Sequence, residues 1–298
     1  MNIYVWLMRR EFWENRAIWL IPAALGALLV LAALFGGYQV VGAVDLATVR
    51  AVVQAGALDG MIAIMMTFFV VMAIYSAWYL LDCLYADRKD RSILFWKSMP
   101  ISDAATVASK LGMALIVIPL VYFAFADLTT LLMAFIVSVR SGASFGSSLW
   151  RGDLWLQIQG LWLYMIVTTA IWYLPVAGWM LAVSAWAKRA VILWSIMPPL
   201  ALVLAERVFL GTYVIAGQFG ARLGLLGYAS HAFQYTPGTE NWVDTEIGND
   251  SAITTPVSVF RFVNAGGFFS SAETWIGAAV GIAMIVCAVQ LRMRRTEV

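Results

Sequence analysis

Charge is what this chain has least of. Only 12% of its 298 residues are Asp, Glu, Lys or Arg, against about 25% in an average soluble domain. Apolar residues supply 62% and the mean hydropathy is +0.84, so the chain belongs in a membrane. Its length therefore does not convert into a number of soluble domains. The single histidine, His231, leaves no H-E-x-x-H metal site. No G-x-x-x-x-G-K-[ST] phosphate loop occurs, so ATP is not bound by that route. Cys83 and Cys287, the two cysteines, both fall in apolar runs and make neither a disulfide framework nor a zinc site. A net charge of +2, with no basic run interleaved with aromatics, excludes a nucleic-acid groove. Catalysis needs acid, base or metal groups that converge, and the sequence assembles none. The chain reads as a non-enzyme.

What is present is a succession of apolar runs. Met1 to Arg16 sets Ile3, Trp6, Leu7 and Trp13 at helical spacing against Arg9, Arg10, Glu11, Glu14 and Arg16, the pattern of an interfacial amphipathic helix. The apolar run behind it is too long for a signal peptide. About 20 apolar residues cross a bilayer, and six segments are expected to do so. They are Ala17–Val41, with Pro22 in its first turn; Ala57–Leu84; Ala104–Val139, broken by Pro119; Gly160–Ala187, with Pro175 inside; a fifth from Ala190 with Pro198-Pro199; and Ala272–Leu291. Six crossings with an inner N-terminus put Arg88, Lys89, Arg91, Lys188, Arg189 and the Arg292–Arg295 tail on the inner side, as positive-inside bias requires. A seventh crossing at Phe209–Phe233 would put that tail outside. Residues 209–271 are therefore expected to hold an element that enters the outer leaflet without crossing. Within it, Gly217, Gly220, Gly224 and Gly227 form one glycine stripe if helical, suited to close backbone packing.

Tyr85 to Asp103 reads YADRKDRSILFWKSMPISD. Asp87 to Arg91 belong in water, yet Ile93, Leu94, Phe95 and Trp96 follow at once. Asp90 or Ser92 could cap a short helix that Pro100 ends. On it Ile93, Trp96 and Lys97 share one side, and Ser92, Phe95 and Met99 an adjacent one. Such a helix either lies on lipid or docks on another protein. Among ionisable residues, Asp127 sits inside the third span beside Thr129 and Thr130, as an ion relay or as a structural hydrogen-bonding group. Glu206 and Arg207, near the outer end of the fifth span, make an outer gate or an interfacial pair. Asp82 is expected to pair with the basic cluster nearby.

Two stretches, RREFWENRAIWLIP at Arg9–Pro22 and DRKDRSILFWKSMPISD at Asp87–Asp103, the latter leading on to Ser109-Lys110, resemble the permease subunit of ABC-2 type ABC transporters. The resemblance covers essentially the whole chain. It implies an all-α membrane domain over residues 1–298, with an elbow helix at 1–16, a cytoplasmic coupling loop at 85–103 and re-entrant exit helices within 209–271. Carried over, the ATPase-docking residues are Arg88, Lys89, Asp90, Arg91, Ile93, Leu94, Phe95, Trp96 and Met99, with Ile93–Trp96 as the surface and Arg88–Arg91 as its charged rim. The glutamate usual in this loop is missing; Asp87 and Asp90 are the nearest acids. The resemblance further implies ATP and Mg held on a separate ATPase subunit, no cofactor on this chain, and a second permease copy in a two-plus-two assembly. It places the assembly in a bacterial cytoplasmic membrane, with both termini inside, exporting an amphipathic or hydrophobic compound, peptide or lipid. Two alternatives stand beside it: an ion-coupled secondary transporter using Asp127, and an ABC-like sensory or regulatory complex.

Overall fold

The computed structural model describes residues 3–35, 46–90, 101–141, 152–233, 260 and 263–294, with side chains from 61 onward in the second of its long helices. The described residues are helical throughout, apart from short connections and one antiparallel bridge between Phe233 and Val263. In chain order, α1 is Ile3–Glu14, α2 Ala17–Phe35 and α3 Leu46–Lys89. Then α4, Asp103–Gly112, passes through a π turn at Met113–Val117 into α5, Ile118–Ser141. Helices α6, Gly152–Trp172, and α7, Leu174–Trp186, are followed by α8, Val191–Ala205, which ends in a second π turn at Glu206–Leu210. Three short helices come next, α9 (Val214–Leu223), α10 (Leu225–Ala232) and α11 (Ala265–Ser270), before the last, α12 (Ala272–Arg294).

Five stretches are long and apolar enough to cross a membrane: Ala17–Phe35, Met61–Lys89, Asp103–Ile136, Val191–Leu210 and Ala272–Arg294. The pair Trp155–Trp172 and Leu174–Trp186, bent by 56°, makes a sixth. The chain is thus an all-α, multi-pass membrane protein. Proline marks two of the irregularities. Pro175, at the start of α7, cannot donate to the preceding turn and breaks the fourth span. Pro119 does the same two residues after the first π turn, where the helix widens rather than stops. Pro22 lies in the second turn of α2, not in the first as the sequence suggested.

The end that gathers α1, the end of α3, the start of α4 and the end of α12 is called the foot below, and the end holding α9 to α11 the head. Fully buried Ile18, Met65, Phe68, Tyr122, Met165 and Trp172 form the core between them. The tightest helix pair is α7 with α12. A Cβ placed on Gly178 would stand 2.6 Å from the Gly281 carbonyl oxygen, and one on Gly281 would stand 2.6 Å from Leu174 backbone, so only glycine lets these backbones meet.

Helices α9 and α10 have ten and eight residues. At 1.5 Å per residue they reach roughly 15 and 12 Å, too short for a core of about 30 Å. The glycine stripe expected there does not exist as one stripe. Gly224 ends α9 with an extended backbone, and the two helices fold onto each other with Gly227 against the Ala221 backbone. A Cβ placed on Gly217 or Gly220 would meet nothing within 4 Å. Between the fourth and fifth spans the turn at Lys188-Arg189 is as tight as expected, and Ala190 adopts φ 50° to begin α8.

Candidate functional site

The foot carries a buried ion network that spacing along the sequence does not reveal. Tyr79, Cys83 and Asp87 lie four residues apart on one face of α3. Asp87 falls in the last turn of that helix, where the dipole disfavours an anion, and two cations converge on it instead. Lys110 of α4 stands 3.3 Å from its Oδ1, and Arg292 of α12 places Nη1 3.0 Å from its Oδ2. Lys110 also meets Glu11 Oε1 of α1 at 2.8 Å, while the Tyr79 hydroxyl donates to Glu11 Oε2 at 3.1 Å. Arg292 Nε reaches Asp103 Oδ1 at 3.0 Å. Asp103 opens α4 next to the Ser102 cap, whose hydroxyl accepts from the Ala105 N–H, so its charge suits the helix start.

The result is a chain of alternating charge, Glu11–Lys110–Asp87–Arg292–Asp103, drawn from four helices. The cation side chains are only 3% and 2% exposed. Removing either cation leaves carboxylates without a counter-ion and costs roughly 3–5 kcal/mol.

Arg88 is not part of a solvated rim. It is 4% exposed and turns inward, donating from Nη2 to the Ser184 carbonyl at 2.6 Å and the Ala187 carbonyl at 2.8 Å. The reason is that α7 stops there and leaves its last carbonyls without intrahelical donors; a guanidinium supplies charge-assisted bonds. The Ser184 hydroxyl in turn accepts from the Leu84 and Tyr85 N–H groups, both at 3.1 Å. Lys89 and Asp90 are exposed at the end of α3. Arg91, Ile93, Leu94, Phe95, Trp96 and Met99 lie outside the described residues. Asp82, expected to pair with the nearby basic cluster, is instead exposed and pairs with no cation among the described residues; the acid at this end of α3 that meets cations is Asp87, with Lys110 and Arg292.

The other candidates lie apart from the foot and from one another. Asp127 accepts at Oδ1 from Trp155 Nε1 and from Gln159 Nε2, each at 2.7 Å, in a small recess lined by Met61, Met65, Thr130 and Trp162. Both bonds are of the kind a structural hydrogen-bonding group makes. Thr129 and Thr130 turn back instead to the Phe125 and Ala126 carbonyls. Glu206 and Arg207 do not pair with each other. The Glu206 carboxylate is buried against the start of α9, accepting from the Val214, Ile215 and Ala216 N–H groups and the Thr212 hydroxyl. Arg207 lies over the Tyr213 ring, 4.1 Å from its centroid.

The head has its own cation. Arg222, at the end of α9, enters the break in the fourth span and donates from Nη1 to the Trp172 carbonyl at 2.9 Å and from Nη2 to the Glu273 carbonyl. His231 packs on Trp172 with the rings tilted by 40° and their centroids 4.5 Å apart, and it meets Glu273 Oε2 at 3.2 Å. No group of three His, Cys, Asp or Glu able to hold a metal occurs among the described residues. The run Gly142-Ala143-Ser144-Phe145-Gly146 has the spacing of a nucleophile elbow, but α5 and not a strand precedes it, and it lies outside the described residues.

Reading the sequence missed Glu11, Lys110, Arg222 and Arg292 as contact residues. Their signal was faint: each is a charge that a topology count assigns to a side of the membrane. Comparison with protein-family models, with curated proteins and with solved structures gave no match to the chain.

Proposed function

We propose that this chain is the permease subunit of an ABC-2 type ABC transporter, exporting an amphipathic or hydrophobic compound, peptide or lipid. A separate ATPase subunit supplies the energy, docking on the loop within residues 85–103. The observation that carries the reading is the foot network. The ends of α3 and α4, which flank that loop, are joined by buried ion pairs to α1 and to the last span. A loop pushed from outside the membrane moves spans only if its flanks are fastened to them, and this network is such a fastening. ATP-driven closure of two ATPases would press on the two loops of a permease pair, and the spans would rock to open a path between the copies. The fifth span supports a second copy: only 11% of it is buried, against 22–39% in the four other unbroken spans, leaving most of its surface to lipid or to a partner.

Asp127 favours the ion-coupled alternative little, because its Oδ1 already receives two N–H donors. Affinity purification of the tagged chain from its native membrane tests the proposal. A phosphate-loop ATPase should be retained, and Phe95→Ala with Trp96→Ala should release it or make its hydrolysis insensitive to the permease. A chain that never retains an ATPase overturns the reading. A double variant that assembles and couples normally overturns the docking surface.

A further inference from the structure

We propose that Arg292 is a positioning residue that fixes the separation between the ends of α3 and α4 and transmits any change in it to the last span. The inference rests on the permease reading for its consequence in transport, and on geometry alone for the fastening itself. A guanidinium most often grips one carboxylate with two parallel N–H groups. Here Nε and Nη1 leave in different directions and meet different carboxylates, Asp103 of α4 and Asp87 of α3, each at 3.0 Å. One side chain on α12 therefore holds both flanks of the loop. Asp87 uses its other oxygen for Lys110, and Lys110 reaches Glu11, so α1 is carried on the same chain of contacts.

The charge balance separates this role from simple stabilisation. Among the described residues, three carboxylates, Glu11, Asp87 and Asp103, face two cations, Lys110 and Arg292. Asp103→Asn strands neither cation, because Arg292 keeps Asp87 and Lys110 keeps Glu11 and Asp87, so a cluster that only holds the fold together loses little. It does remove one arm of the clasp, which a transmitting residue needs.

The test places spin labels at Lys89→Cys and Ala104→Cys, both exposed, in a Cys287→Ala chain in lipid nanodiscs; Cys83 is buried. The wild-type network should give one narrow distance distribution. Asp103→Asn should keep Tm within about 2 °C, while separated ends gain at least about ten-fold in population, as expected when a charge-assisted bond is lost. Arg292→Gln should lose both arms, with a lower Tm and a broader distribution still. An Asp103→Asn chain with the wild-type distribution overturns the inference, as does one whose broadening is matched by general unfolding. A second arm uses the complex with its ATPase, labelled at Ala104→Cys and at exposed Met293→Cys. ATP with vanadate should shift both labels together in wild type and only the first in Asp103→Asn; joint movement in the variant overturns transmission. Absence of any ATPase, with the first arm as expected, would sink the permease reading and leave the fastening standing.

Discussion

Arg222 holds Trp172 twice: its guanidinium carbon lies 4.0 Å from the Trp172 ring centroid, and its Nη1 donates to the carbonyl of that same residue at 2.9 Å. Trp172 is the last residue of α6, and Pro175 removes the donor that would have continued the helix. A cation from the head thus closes a helix end inside the bundle.

That contact predicts that Arg222→Ala will destabilise the protein by about 3 kcal/mol, since it leaves the Trp172 carbonyl without its donor and a hole beside the ring. Arg222→Lys should rescue little, because an ammonium cannot stack flat on the indole while serving two carbonyls. Thermal unfolding in nanodiscs reads both variants, and a lysine variant that melts like wild type would refute the argument.

Asp127 should tolerate conversion to asparagine, whose Oδ1 still accepts from Trp155 and Gln159. Asp127→Leu should cost about 1–3 kcal/mol by leaving two half-buried N–H donors without their acceptor. Parallel transport assays decide the function: loss of an ion-gradient dependence in Asp127→Asn would speak for the secondary-transport alternative.

Gly178→Ala puts a methyl group 2.6 Å from the Gly281 carbonyl oxygen and 3.0 Å from Met284 Cβ. Backbone has to give way, and a loss of roughly 1–3 kcal/mol follows. Ala substitution at Gly217, which faces open space, is the control and should lower stability by no measurable amount in the same melts.

Ala190 holds φ 50°, a left-handed conformation that an L-residue with a Cβ disfavours. Ala190→Gly should stabilise the turn between the fourth and fifth spans by about 1 kcal/mol. A fall in Tm would show that the turn differs from the one described.

How far the sequence led depends on the range of each interaction. Apolar runs marked six spans because crossing length is a local property; Pro119 and Pro175 were equally visible, but the break expected at the first is a continuous helix and the sharp bend is at the second. The glycine stripe misled because Gly224 was counted as a member of a helix it terminates. Arg292 was read as one charge of a basic tail, and Asp87 as a member of a solvated cluster; their pairing joins residues 205 positions apart. Periodicity has no access to such a pair. Arg88 shows the same limit, since what pulls it inward is the end of a helix about a hundred residues later. At the candidate site, helices were legible and their fastenings were not.

The fifth span, Val191–Leu210, leans on the bundle over so little of its length that its surroundings supply most of its cover. Ile192, Leu193, Ile196, Leu204 and Phe209 all face outward. Whatever replaces the bilayer during purification becomes part of this helix's structure. Detergent choice should therefore register there before it registers at the foot, where buried ions hold one another and ask nothing of the solvent.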